Sequence, residues 1–199
     1  MAGRLANARA PGQNGLDEHL PGPALLKAPL RLAVVVGFAL LTALCAQVAV
    51  PMVPVPMTLQ TFAVLLAGAV LGGGQGAAAV LLYLALAAFG LPVLSDGGSG
   101  LAPFTGPTAG YLFAFPVAAL LAGEIGRRPA FRKPLPGLAL MLAGHLFILA
   151  AGTLWLATSL GASDAVAHGF TPFLIGAAVK SAAVVACAAA LRRLAPFSS

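Results

Sequence analysis

The chain predicts an all-α fold, a polytopic membrane protein of six transmembrane helices, and three observations carry that reading. Hydrophobic residues make up 60% of the 199 positions and charged residues only 8%, too few polar groups to cover a globular surface. The apolar residues form six runs that are apolar on every face, unlike the alternating strands of a barrel. Of the 11 lysines and arginines, all but Lys180 fall in tails or in one loop.

Taken in order, residues 1 to about 28 are polar, rich in Gly, Pro, Ala and Asn, and without apolar periodicity; they read as a disordered cytoplasmic tail. The first helix is expected over Arg31 to Val50, ended by Pro51, Pro54 and Pro56. This run starts too late and extends too far for a cleaved signal peptide, and Leu44 before Cys45 spoils a lipoprotein cleavage box. It is read as a retained helix. A second helix, from about Met57 to Leu71, is short for a crossing; extension into Gly72-Gly73-Gly74, tilting and partial re-entry all remain open. The third runs from about Gly76 to Leu91 and stops at Pro92, before a flexible polar loop, Ser95 to Gly100. The fourth, Gly106 to Ile125, the fifth, Gly137 to Leu160, and the sixth, Pro172 to Leu191, complete a transmembrane domain over 29–195.

Charge placement tests that count. With six spans, Arg4, Arg9, Lys27 and Arg31, the loop residues Arg127, Arg128, Arg132 and Lys133, and the final Arg192 and Arg193 all share one side. The positive-inside rule makes it the cytoplasm, with both termini there and the chain in a bacterial cytoplasmic membrane. Asp96, Asp164 and His168 fall in the opposite loops.

Several function classes drop out. A net charge of +6 does not make a nucleic-acid surface here, because the charges are sparse and segregated between apolar runs. Cys45 and Cys187 lie far apart in apolar segments, with neither metal-ligand nor disulfide-scaffold spacing. The sequence holds no phosphate-binding G-x-x-x-x-G-K-[ST] and no H-E-x-x-H, and Leu101 stands where a nucleophile elbow built on Gly98-Ser99-Gly100 would need glycine. No catalytic residues, metal or cofactor are expected. Binding and passage of a solute fits better than catalysis.

Lys180 is then the informative residue. A lysine at the centre of a membrane helix costs about 2.5–3.5 kcal/mol on insertion scales, so such residues usually face a bundle interior or a cavity. It lies about eight residues inside the outer end of its helix, roughly 12 Å at 1.5 Å per residue. A ligand site for an anionic or carbonyl-bearing solute is the reading with chemistry, and snorkelling to the interface is the alternative. On the first helix Ala39 and Ala43 bring small side chains to one face, suited either to internal packing or to a docking partner. His145 reads as a helix-packing polar residue, and Glu124 as a solvated partner of Arg127 or Arg128.

Three segments carry a resemblance. They are Pro54-Val55-Pro56-Met57-Thr58-Leu59-Gln60-Thr61-Phe62 with the following Leu65-Leu66-Ala67-Gly68, then Gly90-Leu91-Pro92-Val93, and Gly106-Pro107-Thr108-Ala109-Gly110-Tyr111. Over about residues 31–193 the chain resembles the BioY family of biotin transporters, six-helix substrate-capture subunits of energy-coupling-factor transporters. The resemblance implies biotin as ligand, a transmembrane coupling subunit and two ATPase subunits as partners, and leaves a homo-oligomer open. It implies a substrate site that includes Lys180, Asp96, Gly98, Ser99, Tyr111, Gln60 and Thr58, and it supplies the coupling subunit as the partner for which the small-residue face of Ala39 and Ala43 is suited. The family's last helix tends to carry Gly-Asp-x-x-Lys at the ligand. Here Gly176-Ala177-Ala178-Val179-Lys180 keeps the lysine and has Ala177 in place of the acid.

Overall fold

The computed structural model describes residues 23–194, so the expected tail lies largely outside the described residues. Contacts divide the chain into two units, Met1–Ala33 and Val34–Ser199. Of the first, the described part is the opening of helix α1 (Pro23–Gln47), which begins at Pro23 rather than Arg31. The rest of the described structure belongs to the second unit.

All six expected helices are present. After α1 come α2 (Gln60–Leu71), α3 (Gly73–Ala88), α4 (Ala109–Arg127) and α5 (Pro134–Leu160), and α7 (Phe173–Leu194) is the last. The sequence reading missed α6 (Ala162–Gly169), a short helix between the fifth and sixth runs whose polar residues hid it among loop signals. Four of the helices are long and apolar enough to cross a membrane: α1, α4, α5 and α7. At 12 and 16 residues, α2 and α3 reach only about 18 and 24 Å at 1.5 Å per residue, against a hydrocarbon core of about 30 Å. Both are shorter than that core, as the sequence foreshadowed for the second.

One glycine separates α2 from α3. Gly72 sits at φ 84°, a left-handed backbone that a side chain disfavours; its N–H closes α2 on the Gly68 carbonyl at 2.9 Å, and its own carbonyl accepts the Gly76 N–H at 2.9 Å. Gly161, at φ 83°, repeats the device between α5 and α6. Helix α4 occupies the middle of the unit, packed on α2, α3 and α5, while α7 closes against α2 and α5. Small residues allow this closeness: Gly68 abuts the α4 backbone at Ala119, and Gly123 abuts Gly73.

Between α1 and α2 the chain forms a two-stranded antiparallel ribbon, β1 (Ala49–Val50) and β2 (Met57–Thr58), with Ala49 opposite Thr58. Three prolines between the strands keep the connection out of helix. The loop after α3 is ordered by hydrogen bonds where a flexible stretch was predicted. Leu94 N donates to Gly98 O at 3.1 Å, Gly98 N to Ser95 O at 3.0 Å, and Gly100 N to Ala87 O at 2.7 Å. Gln47 Nε2, at the end of α1, donates to the Leu94 carbonyl at 3.0 Å and ties that loop down. The ribbon and the loop after α3 gather at the end of α4 that holds Tyr111, and the Gly72 turn meets Arg127 at the other.

Candidate functional site

A cavity of about 280 Å³ opens where the ribbon, the loop after α3, and helices α2, α4, α5 and α7 converge. Its wall is mainly apolar: Tyr111, Leu112 and Phe115 come from α4, Leu149 from α5, and Phe173 and Ala177 from α7. Val55 and Pro56 supply the ribbon side, and Pro103 and Pro107 the side of the loop that leads into α4. A few polar groups set in such a wall are what a small-molecule site requires.

Lys180 supplies the charge. It is 8% exposed, and its Nζ donates to the Thr58 backbone carbonyl at 3.0 Å. Among the described residues the ion pair is Arg127–Glu124 at 3.1 Å, on the surface at the far end of α4, and no carboxylate pairs with Lys180. An ammonium has three donors, so two remain for a ligand. Snorkelling is thereby set aside in this structure, since the head group is turned into the protein.

Thr58 and Gln60 both line the cavity and brace one another. The Thr58 hydroxyl donates to Gln60 Oε1 at 2.8 Å, and the Gln60 backbone N–H donates to that hydroxyl at 3.3 Å. Gln60 Nε2 donates to the hydroxyl of Tyr83, a fully buried residue of α3. This chain of bonds fixes the ribbon on the start of α2, and with it the carbonyl that holds Lys180. Tyr111 contributes its ring to the wall; its hydroxyl donates to Gly169 O at 2.7 Å, so it anchors α6. Gly152 and Gly169 leave the space that ring and hydroxyl fill.

Of the predicted site residues, Thr58, Gln60, Asp96, Gly98, Tyr111 and Lys180 all line this one cavity. Asp96 stands exposed on the rim at φ 55°. Ser99 lies outside the lining, because the tight turn that closes Gly98 back on Ser95 carries the next residue away. The docking pair is split: Ala39 is 1% exposed, enclosed by its own chain, while Ala43 is half-buried. Small-residue spacing alone does not reveal which side of a helix meets its own bundle, and Ala39 has no free surface to offer a partner. Sequence reasoning missed Thr61, and it favoured helix packing for His145 over a functional role; both line the cavity.

Comparisons with known proteins agree with this architecture. A sequence profile of the BioY family matches residues 22–197. The probable biotin transporter BioY of Pyrococcus horikoshii is 40% identical over 162 residues, covering 81% of this chain and 96% of that protein. The biotin transporter BioY of Rhizobium etli is 36% identical over 159 residues, covering 76% and 80%. A crystal structure of the S-component for biotin from an ECF-type ABC transporter superposes with a TM-score of 0.73 at 25% identity, over 84% of this chain and 93% of that one. With four span-length apolar helices, a multi-pass membrane architecture and a family profile that covers nearly its whole length, the chain belongs to the BioY family.

Proposed function

We propose that this protein captures biotin and delivers it across the cytoplasmic membrane as the substrate-binding subunit of an energy-coupling-factor transporter. The observation that carries the reading is the mostly apolar cavity with a buried ammonium in its wall that meets no carboxylate among the described residues, in a chain of this family. Biotin presents a matching set of groups: a ureido ring with two N–H donors and a carbonyl acceptor, an apolar thioether ring, and a carboxylate. Aromatic and aliphatic side chains pack against the ring and Lys180 donates to an oxygen. Energy would come from two ATPase subunits joined through a transmembrane coupling subunit, since the chain carries no phosphate-binding loop of its own.

Equilibrium titration of the purified protein with labelled biotin tests the assignment. Saturable binding that excess riboflavin and thiamin leave in place is expected. Displacement by either vitamin at equal concentration would reassign the cavity to a different substrate.

The same reading orients the protein, with the Arg127–Pro136 connection in the cytoplasm and the cavity mouth outside. The support is the clustering of Arg127, Arg128, Arg132 and Lys133 at the end of α4 away from the cavity. In a protein whose Cys45 and Cys187 are replaced by alanine, Arg132→Cys is expected to resist a membrane-impermeant thiol reagent in intact cells and to react after lysis. Labelling from outside would invert the topology.

A further inference from the structure

His145 sits in the middle of α5, is 2% exposed, and lines the same cavity as Lys180. Its two ring nitrogens have different surroundings. Nδ1 lies 3.2 Å from the Met141 carbonyl and 2.9 Å from Ser181 Oγ. Nε2 is buried with no hydrogen-bond partner in the protein.

Counting protons assigns the tautomer. The Ser181 hydroxyl donates to the Ala177 carbonyl at 2.7 Å, which uses its one proton, so toward the imidazole it accepts. The Met141 carbonyl also only accepts. Nδ1 must therefore carry the ring proton, and Nε2 is left with an open lone pair. A buried acceptor of this kind is costly unless something donates to it. Thr61 Oγ1, on the same cavity wall, is also unpartnered. These are two buried polar atoms without a protein partner, on two residues that line one cavity, and a ligand's polar groups could satisfy them.

We propose that His145 accepts a hydrogen bond from a ureido N–H of the ligand at Nε2, with Ser181 as the positioning residue that holds the ring in the tautomer able to do so. The proposal rests on biotin as the ligand, and biotin's chemistry then leaves no other choice. At neutral pH its carboxylate and thioether donate nothing, so the ureido nitrogens are its donors. His145 and Lys180 thus form a complementary pair across one cavity, a bare acceptor and a spare donor.

Labelled biotin is titrated against the wild type and against His145→Leu, His145→Gln and His145→Leu/Ala177→Asp, each shown to be monodisperse with a cooperative ligand-free melt. His145→Leu should bind roughly ten- to a hundredfold more weakly. His145→Gln, whose amide oxygen still accepts, should keep most of the affinity. Ala177 lines the same cavity one turn before Ser181, so a carboxylate there should return at least tenfold in the double variant. A wild type that binds no biotin would overturn the ligand assignment and this proposal together. Biotin binding that is equal in the wild type and His145→Leu would overturn the proposal alone. So would a loss that His145→Gln shares in full and Ala177→Asp does not recover, because it would reduce His145 to packing. Should His145→Leu not fold, the wild type answers by itself: one of the two N-methylated ureido derivatives of biotin should bind more than tenfold worse than biotin, and equal binding of both rejects the contact.

Discussion

Replacing Lys180 by alanine is expected to lower biotin affinity by roughly ten- to a hundredfold, the equivalent of a charge-assisted hydrogen bond worth about 1.5–3 kcal/mol at 1.4 kcal/mol per decade. The ammonium stands in the cavity wall with one donor used on Thr58 O and with no carboxylate beside it. Its remaining donors have the ligand to meet. Lys180→Met separates head group from stem: it keeps the apolar chain that fills the wall and removes only the charge, so its affinity should fall nearly as far. Lys180→Arg should rescue only in part, because a planar fork does not occupy the place of a compact ammonium in a cavity of about 280 Å³. Isothermal titration of folded variants checks all three, and full affinity in Lys180→Met would leave the lysine without a ligand role.

Gly123→Val is expected to have the largest effect on the fold. A Cβ at that position falls on the backbone of Gly73 and within 2.6 Å of the Gly72 carbonyl carbon, at the turn between α2 and α3. Backbone cannot rotate aside as a flexible side chain does, so α4 must move away from the α2–α3 turn. Overpacking typically costs about 1–3 kcal/mol, and a backbone clash stands at or beyond that range. The protein should lose its monodisperse peak in detergent or melt many degrees lower. Gly74→Ala is the control. It lies one residue further into α3, where an added Cβ meets nothing within 4 Å, and should be neutral or stabilising by up to about 1 kcal/mol. Equal melting of Gly123→Val and the wild type would deny the close approach of α4 to this turn.

Much of the fold was legible because membrane helices announce themselves by composition. The six apolar runs became the six expected helices, and Lys180 stood out because every other cation had a place in a tail, a loop or the end of a run. What escaped depended on geometry that no run of residues contains. The shortness of α2 and α3 follows from Gly72 and its φ of 84°, yet in sequence Gly72, Gly73 and Gly74 look alike. Ala39 and Ala43 have equivalent spacing and only one is fully enclosed, since enclosure depends on what surrounds α1. Six of the seven residues expected at the site line the cavity, while Ser99 was lost to the turn beside it. His145 needed convergence to be seen: its meaning lies in Ser181, 36 residues away on another helix, taking up Nδ1 and leaving Nε2 free.

The bond between Lys180 and the Thr58 carbonyl also bears on the entropy of binding. A free lysine side chain carries about 2 kcal/mol of rotamer freedom, and a ligand that had to capture a swinging ammonium would lose much of that amount from its affinity. Here the ribbon holds the head group in the wall before any ligand arrives, and Gln60 and Tyr83 hold the ribbon. Ordering has been done during folding, so the arriving molecule meets a donor already at rest. A substitution at Tyr83, which neither lines the cavity nor bonds Lys180, is expected to return that motion to the lysine and shorten the stay of the ligand.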